Sequence, residues 1–135
     1  METNVMNEVI EKGKKAKAAS LLLQRKTTEQ KNNALLAIAN QLHEDRQKII
    51  ASNKKDLESA KANGIEKNVL DRILLTDDRI DAIIHAIKEC VNLYDPIGDE
   101  LENFKRDDGL HIIKKRVPIG VIGIIYEARP NVTID

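Results

Sequence analysis

Residues 117–135, VPIGVIGIIYEARPNVTID, constrain the fold more than any other stretch of the chain. Ile119–Ile125 contains only apolar residues and glycine. Side chains alternate across a strand, so Val121, Ile122, Ile124 and Ile125 would make both of its faces apolar. Strands of that kind belong to parallel sheets covered by helices on each side. Such a sheet needs further members, and the sequence holds no second run like this one. Two readings are open. Either the chain is the N-terminal part of a larger α/β protein, or Ile119–Ile125 is a lone strand packed on the chain's own helices. The first is preferred, because a parallel sheet cannot have one member and uncovered apolar strands aggregate.

The preceding hundred residues carry helical periodicity. Met6, Val9, Ile10, Gly13, Ala16, Ala19 and Leu23 recur at helical spacing. Thr27 and Gln30 form a capping-box pattern that opens a second helix. Its apolar face runs through Leu35, Ile38, Leu42 and Ile49 to Leu57, with His43, Glu44, Asp45 and Arg46 placed to break or kink it. Asn63-Gly64 is a stop signal, with glycine available for the left-handed cap position. A short helical turn is expected over Lys67 to Arg72. Thr76 caps the most regular stripe in the chain: Ile80, Ile83, Ile84, Ile87, Val91 and Tyr94. Asp95 to Gly98 is a turn. Asp107-Asp108-Gly109 is a hairpin turn between Leu101–Arg106 and the basic arm Leu110–Val117, which reads as an exposed or edge strand before Pro118.

The totals exclude several classes. In 135 residues, 22 basic side chains balance 22 acidic ones, so there is no global attraction to nucleic acid or to an anionic membrane. One phenylalanine, two tyrosines and no tryptophan leave little for base stacking. A single cysteine, Cys90, gives no internal disulfide and fits a reducing compartment. The N-terminus lacks the pattern of a secretory signal, and no apolar run reaches membrane-spanning length. A cytoplasmic location is the expectation.

Several candidate motifs have simpler explanations. Gly120 and Gly123 do not make a dinucleotide fingerprint; they mark close backbone approach. Lys12, Lys14, Lys15 and Lys17 read as a solvated helix face. His43, His85 and His111 lack ligand spacing, so no metal site is expected. Cys90, beside the apolar stripe, reads as a buried inert thiol. The loop Tyr126-Glu127-Ala128-Arg129-Pro130-Asn131 is different. It follows the carboxyl end of the expected strand, where open α/β sheets bind ligands. Arg129 can clamp a carboxylate or phosphate, and Asn131 offers an amide donor to an oxyanion. Pro130 stiffens the loop. Equally, this can be a strand-to-helix turn in which Asn131 caps the next helix.

"VPIGVIGIIYEARPNVTID", together with "SNKKDLESAKANG", "LDRILLTDDRI" and "YDPIGDE", closely resembles the glutamate-5-semialdehyde dehydrogenase (γ-glutamyl phosphate reductase) family of the aldehyde dehydrogenase superfamily. The resemblance covers nearly the whole chain but only the N-terminal portion of the family's much longer enzyme. The run Tyr126–Asn131 is specific to this family; the wider superfamily usually has tryptophan where this chain has Pro130.

The resemblance implies NADPH-dependent reduction of L-glutamyl 5-phosphate to glutamate 5-semialdehyde and phosphate, the second step of proline synthesis from glutamate. It implies Asn131 as the oxyanion donor. It also implies a substrate and cofactor loop comprising Ile125, Tyr126, Glu127, Arg129 and Pro130. The nucleophilic cysteine would lie downstream, absent from this chain, and Cys90 does not match it. A truncated Rossmann-like α/β fold follows: residues 1–99 as N-terminal helices of the cofactor domain, 100–118 as a hairpin of the oligomerisation sheet, and 119–135 as the first cofactor-domain strand and active-site loop. The full-length protein would be a homo-oligomer through that hairpin. The alternative is a non-catalytic helical interaction module completed by a partner strand.

Overall fold

The computed structural model describes residues 2–134, and the side chains from residue 7 onward. Met6, at the start of the first expected apolar face, therefore lies outside the described side chains. The described residues form five α-helices, one antiparallel hairpin and a terminal 3-10 turn, in that order along the chain. They divide into two compact units, residues 1–28 with 94–123 and residues 29–93 with 124–135.

The first unit contains α1 (Glu2–Leu23) and the hairpin. The polar face of α1 is solvated as expected: Lys12 pairs with Glu8, and Lys14 with Glu11. Its apolar residues Val9, Ile10 and Leu23 are exposed as well. The hairpin joins β1 (Glu100–Lys105) to β2 (His111–Lys115), with Phe104 opposite Ile112 and a register shift between Glu100 and Glu102. Gly109 turns the chain at φ 90°, where a Cβ would be strained. Cross-strand ion pairs, Lys114 with Glu102 and Lys115 with Glu100, lie on directly opposed positions. The strands are largely exposed, as the edge-strand reading expects.

The strand expected over Ile119–Ile125 is not formed. A strand exists through its neighbours' hydrogen bonds, and none of the described residues pairs with this segment. Gly120, at φ 106°, also leaves the extended region. The lone-strand alternative fails too, since Ile119, Ile122 and Ile125 are exposed rather than packed. Nor do Gly120 and Gly123 mark a close approach: a Cβ on either would meet open space.

The second unit is built from α2 (Thr28–Glu44), α3 (Arg46–Ala62), α4 (Lys67–Ile73) and α5 (Asp77–Val91). The polar patch at 43–46 does break the helix, at Asp45, and Thr27 sits just ahead of α2. Asn63-Gly64 ends α3 as expected. The Ile65 N–H reaches the Ala60 carbonyl, the Gly64 N–H reaches Lys61, and Gly64 takes φ 73°. That paired closure is the Schellman arrangement, which requires the left-handed residue. Thr76 caps α5 by accepting from the Arg79 N–H at 3.2 Å, with Asp77 and Asp78 beside the positive helix end.

The core is the stripe read from the sequence. Ile80, Ile84 and Ile87 of α5 are buried with Ala39 of α2. Leu35, Leu42, Ile49, Ile50, Ile83 and, from the terminal turn, Ile134 pack around them. Tyr94 departs from the stripe. It lies beyond the end of α5, is exposed, and its hydroxyl donates to Asp99 at 2.5 Å. That acceptor raises the Tyr94 pKa above the usual phenol value.

Two polar links reinforce these helices. Asn53 of α3 is 6% exposed; its Nδ2 donates to the Ile73 carbonyl at 2.9 Å and its Oδ1 accepts from the Leu75 N–H at 2.8 Å. Arg46, at the start of α3, donates to Asp77 and Asp81 of α5. The hydrogen bond with Asp81 raises the Arg46 pKa and holds the Asp81 carboxyl below its usual range.

Candidate functional site

The loop singled out in the sequence, Tyr126–Asn131, belongs with the terminal turn to the second unit. Ile125 and Tyr126 are exposed, as are Glu127 and Arg129. Ala128 adopts φ 53°, the left-handed region rarely taken by a residue with a Cβ. Arg129 returns to negative φ, and Pro130 opens a 3-10 turn over Pro130–Thr133. Its fixed φ suits that first position, where its missing N–H would have no partner. The Val132 N–H donates to the Arg129 carbonyl at 3.1 Å, and the Ile134 N–H to the Asn131 carbonyl at 2.9 Å.

Asn131 is therefore inside the turn, not at its N-cap; Arg129 holds the cap position without a side-chain cap bond. The capping alternative for Asn131 is not what the backbone adopts. The turn is anchored through Ile134, which packs on the α5 core. Tyr126 and Thr133 close the loop through their hydroxyls, 2.5 Å apart.

Pro130, Asn131 and Ile134 line an open, mostly apolar groove of about 660 Å³, together with Arg79, Ile83 and Cys90. Cys90 is exposed, which corrects the expectation of a buried thiol. It lies in the last turn of α5, one position before Val91, so the core stripe passes beside it rather than over it. Arg79 does not present an uncommitted cation to the groove. Its guanidinium donates to the Leu74 carbonyl at 2.8 Å, to the Asp71 carbonyl, and to the Asp71 carboxylate at 3.1 Å. Among the described residues no histidine or carboxylate lines this groove, so none of them stands there as a base to activate Cys90. Among the described residues no cluster could hold a metal ion, and no helix is long and apolar enough to cross a membrane.

The structure thus gathers Pro130 and Asn131 at one groove and leaves Ile125, Glu127 and Arg129 facing solvent. Sequence reasoning missed Thr133 and Ile134. Ile134 could have been found as an apolar residue four positions beyond Pro130, poised to anchor the turn.

Helices and an antiparallel hairpin place the chain among α/β folds. No protein-family profile matches the chain. The γ-glutamyl phosphate reductase of Halalkalibacterium halodurans is 51% identical over 130 residues, which cover 96% of this chain and 31% of that protein. The enzyme of that name from Clostridium botulinum gives the same identity and coverage. In solved structures, the γ-glutamyl phosphate reductase of Thermotoga maritima superposes with a TM-score of 0.90 at 45% identity, over 94% of this chain and 31% of that one. The Saccharomyces cerevisiae protein of that name gives 0.81 at 31% identity, over 90% of this chain and 31% of that one. The chain is homologous to the γ-glutamyl phosphate reductases over this span, about a third of their length, as an N-terminal portion would be.

Proposed function

We propose that the chain serves as the N-terminal part of a γ-glutamyl phosphate reductase. The reaction is the NADPH-dependent reduction of L-glutamyl 5-phosphate to glutamate 5-semialdehyde and phosphate, in proline biosynthesis. The observation that carries this reading is similarity over nearly the whole chain, at 51% identity, to a protein of that name.

In this reading a cysteine supplied outside these residues displaces phosphate from the acyl carbon, and NADPH when bound supplies the hydride. The role of this chain is to position and stabilise. Asn131 Nδ2 donates to the oxygen that gains charge as the acyl carbon becomes tetrahedral. Preorganised donors of that kind act most strongly where water is excluded. The apolar surfaces of Ile125 and Tyr126 suit the face of a nicotinamide ring, and the residues that would hold the rest of NADPH lie outside the chain. Glu127 and Pro130 shape the same loop. Arg129, exposed and always charged, grips a carboxylate or phosphate of the substrate. The hairpin of β1 and β2, with residues 100–118, pairs subunits of the full-length enzyme. The cytoplasm is its setting.

The test uses a full-length reductase in which this chain replaces the homologous segment, with NADPH oxidation followed on L-glutamyl 5-phosphate. Asn131→Ala is expected to lower kcat about 10²- to 10³-fold. An unchanged kcat would remove Asn131 from the chemistry. The 135-residue chain alone is expected to show no turnover; robust turnover would refute the claim that the nucleophile lies elsewhere.

A further inference from the structure

We propose that Thr133 is a positioning residue: through the Tyr126 hydroxyl it latches the loop and fixes the turn that presents Asn131. This rests on the reading of Asn131 as an oxyanion donor.

Three observations meet here. The Tyr126 and Thr133 hydroxyl oxygens lie 2.5 Å apart, and the bond joins the two ends of the loop. Between them Ala128 holds φ 53°, a conformation that persists only when its surroundings fix it. Asn131 sits in a 3-10 turn, whose hydrogen-bond geometry is poorer than that of an α-helix, so contacts beyond its own ladder matter more.

The two sides of Asn131 are held differently. On the C-terminal side, Ile134 is packed on the core. On the N-terminal side, Glu127 and Arg129 are exposed and Ile125 is 102% exposed. The Tyr126–Thr133 bond ties that exposed arm to the anchored one. Without it the exposed arm can pivot at Ala128, and the turn that carries Asn131 loses one of its restraints. An amide donor stabilises a developing anion only when its direction is set beforehand, so the latch governs the chemical step rather than substrate binding.

The first arm of the test is amide hydrogen exchange of the 135-residue chain, followed residue by residue by NMR. Thr133→Val and Tyr126→Phe are each expected to speed exchange at Val132 and Ile134 about 2- to 10-fold, the range one net hydrogen bond supports. Thr133→Ser should match the parent. The double variant should be no faster than either single one, and the α5 amides should not change. No acceleration in Thr133→Val, or additive acceleration in the double variant, would overturn the latch.

The second arm uses the full-length reductase carrying this chain. Thr133→Val should lower kcat by a similar factor with KM unchanged, and Thr133→Ser should restore it. If kcat is unmoved by Thr133→Val but falls in Asn131→Ala, the positioning role is wrong and the oxyanion reading stands. If Asn131→Ala leaves kcat intact, the oxyanion reading fails and the positioning role fails with it.

Discussion

Asn53→Leu is the most informative perturbation of the helical unit. Leucine keeps the branching and heavy-atom count of asparagine, although its methyl groups are bulkier than the amide, so any overpacking adds to the loss. What is lost is both hydrogen bonds of a buried amide, to the Ile73 carbonyl at 2.9 Å and from the Leu75 N–H at 2.8 Å. A buried backbone group left without a partner costs about 1–3 kcal/mol. Ile73 and Leu75 are only half-buried, so water reaches them in part. The lower part of that range then applies to each, and the loss sums to about 2–3 kcal/mol. Urea unfolding followed by far-ultraviolet circular dichroism reads it directly. With a slope of about 1–2 kcal/mol per molar, the midpoint falls by roughly 1–3 M. Asn53→Asp provides an internal control. At neutral pH the carboxylate still accepts from Leu75 but turns an oxygen on the Ile73 carbonyl, so it too destabilises. Below the carboxylate pKa the acid regains a donor and recovers part of the loss. A leucine variant within about 0.5 kcal/mol of the parent would refute the reasoning, because water would then be replacing both partners.

Two further outcomes follow from the same unit. Asp81 is held below its usual range by Arg46, so its contribution to stability is present above the unfolded carboxylate pKa, about 3.9, and is lost as pH falls through the depressed folded value. Asp81→Asn should therefore be less stable than the parent at neutral pH and converge on it in acid; a difference independent of pH across urea unfolding curves would sink this account. Cys90 is exposed, so a maleimide should label the folded chain fully without denaturant, whereas labelling that waits for unfolding would show the end of α5 to be covered.

Local signals carried the helical unit. The stripe at Ile80, Ile84 and Ile87 is the buried core, and Thr76 caps its helix, because amphipathic period and capping chemistry act within a few residues. The same holds for Gly64 and Gly109, whose positive φ values are what a helix stop and a hairpin turn demand. Ile119–Ile125 failed as a strand for the opposite reason. Its residue types fit a pleated buried surface, but that preference is realised only against neighbouring strands, and among the described residues it has none. Cys90 was misjudged because sequence spacing places a residue on a helix face without saying what covers that face.

The loop shows where local and non-local information divide. Pro130 and Asn131 could be read as a stiff turn carrying an amide donor, and the backbone does turn there. What helps hold that turn could not be read, because it includes contacts between residues whose types are unremarkable. Ile134 reaches a core built fifty residues earlier, and Thr133 meets Tyr126. Neither contact has a sequence pattern of its own. The first connects the turn that carries Asn131 to the packing of α5, and the second ties the arm before it to the same turn. The stability of the helical unit and the geometry of the loop are therefore linked through the anchor at Ile134. Substitutions that loosen Ile80, Ile84 or Ile87 should be felt at Asn131 before the unit unfolds, since the anchoring turn has few bonds of its own.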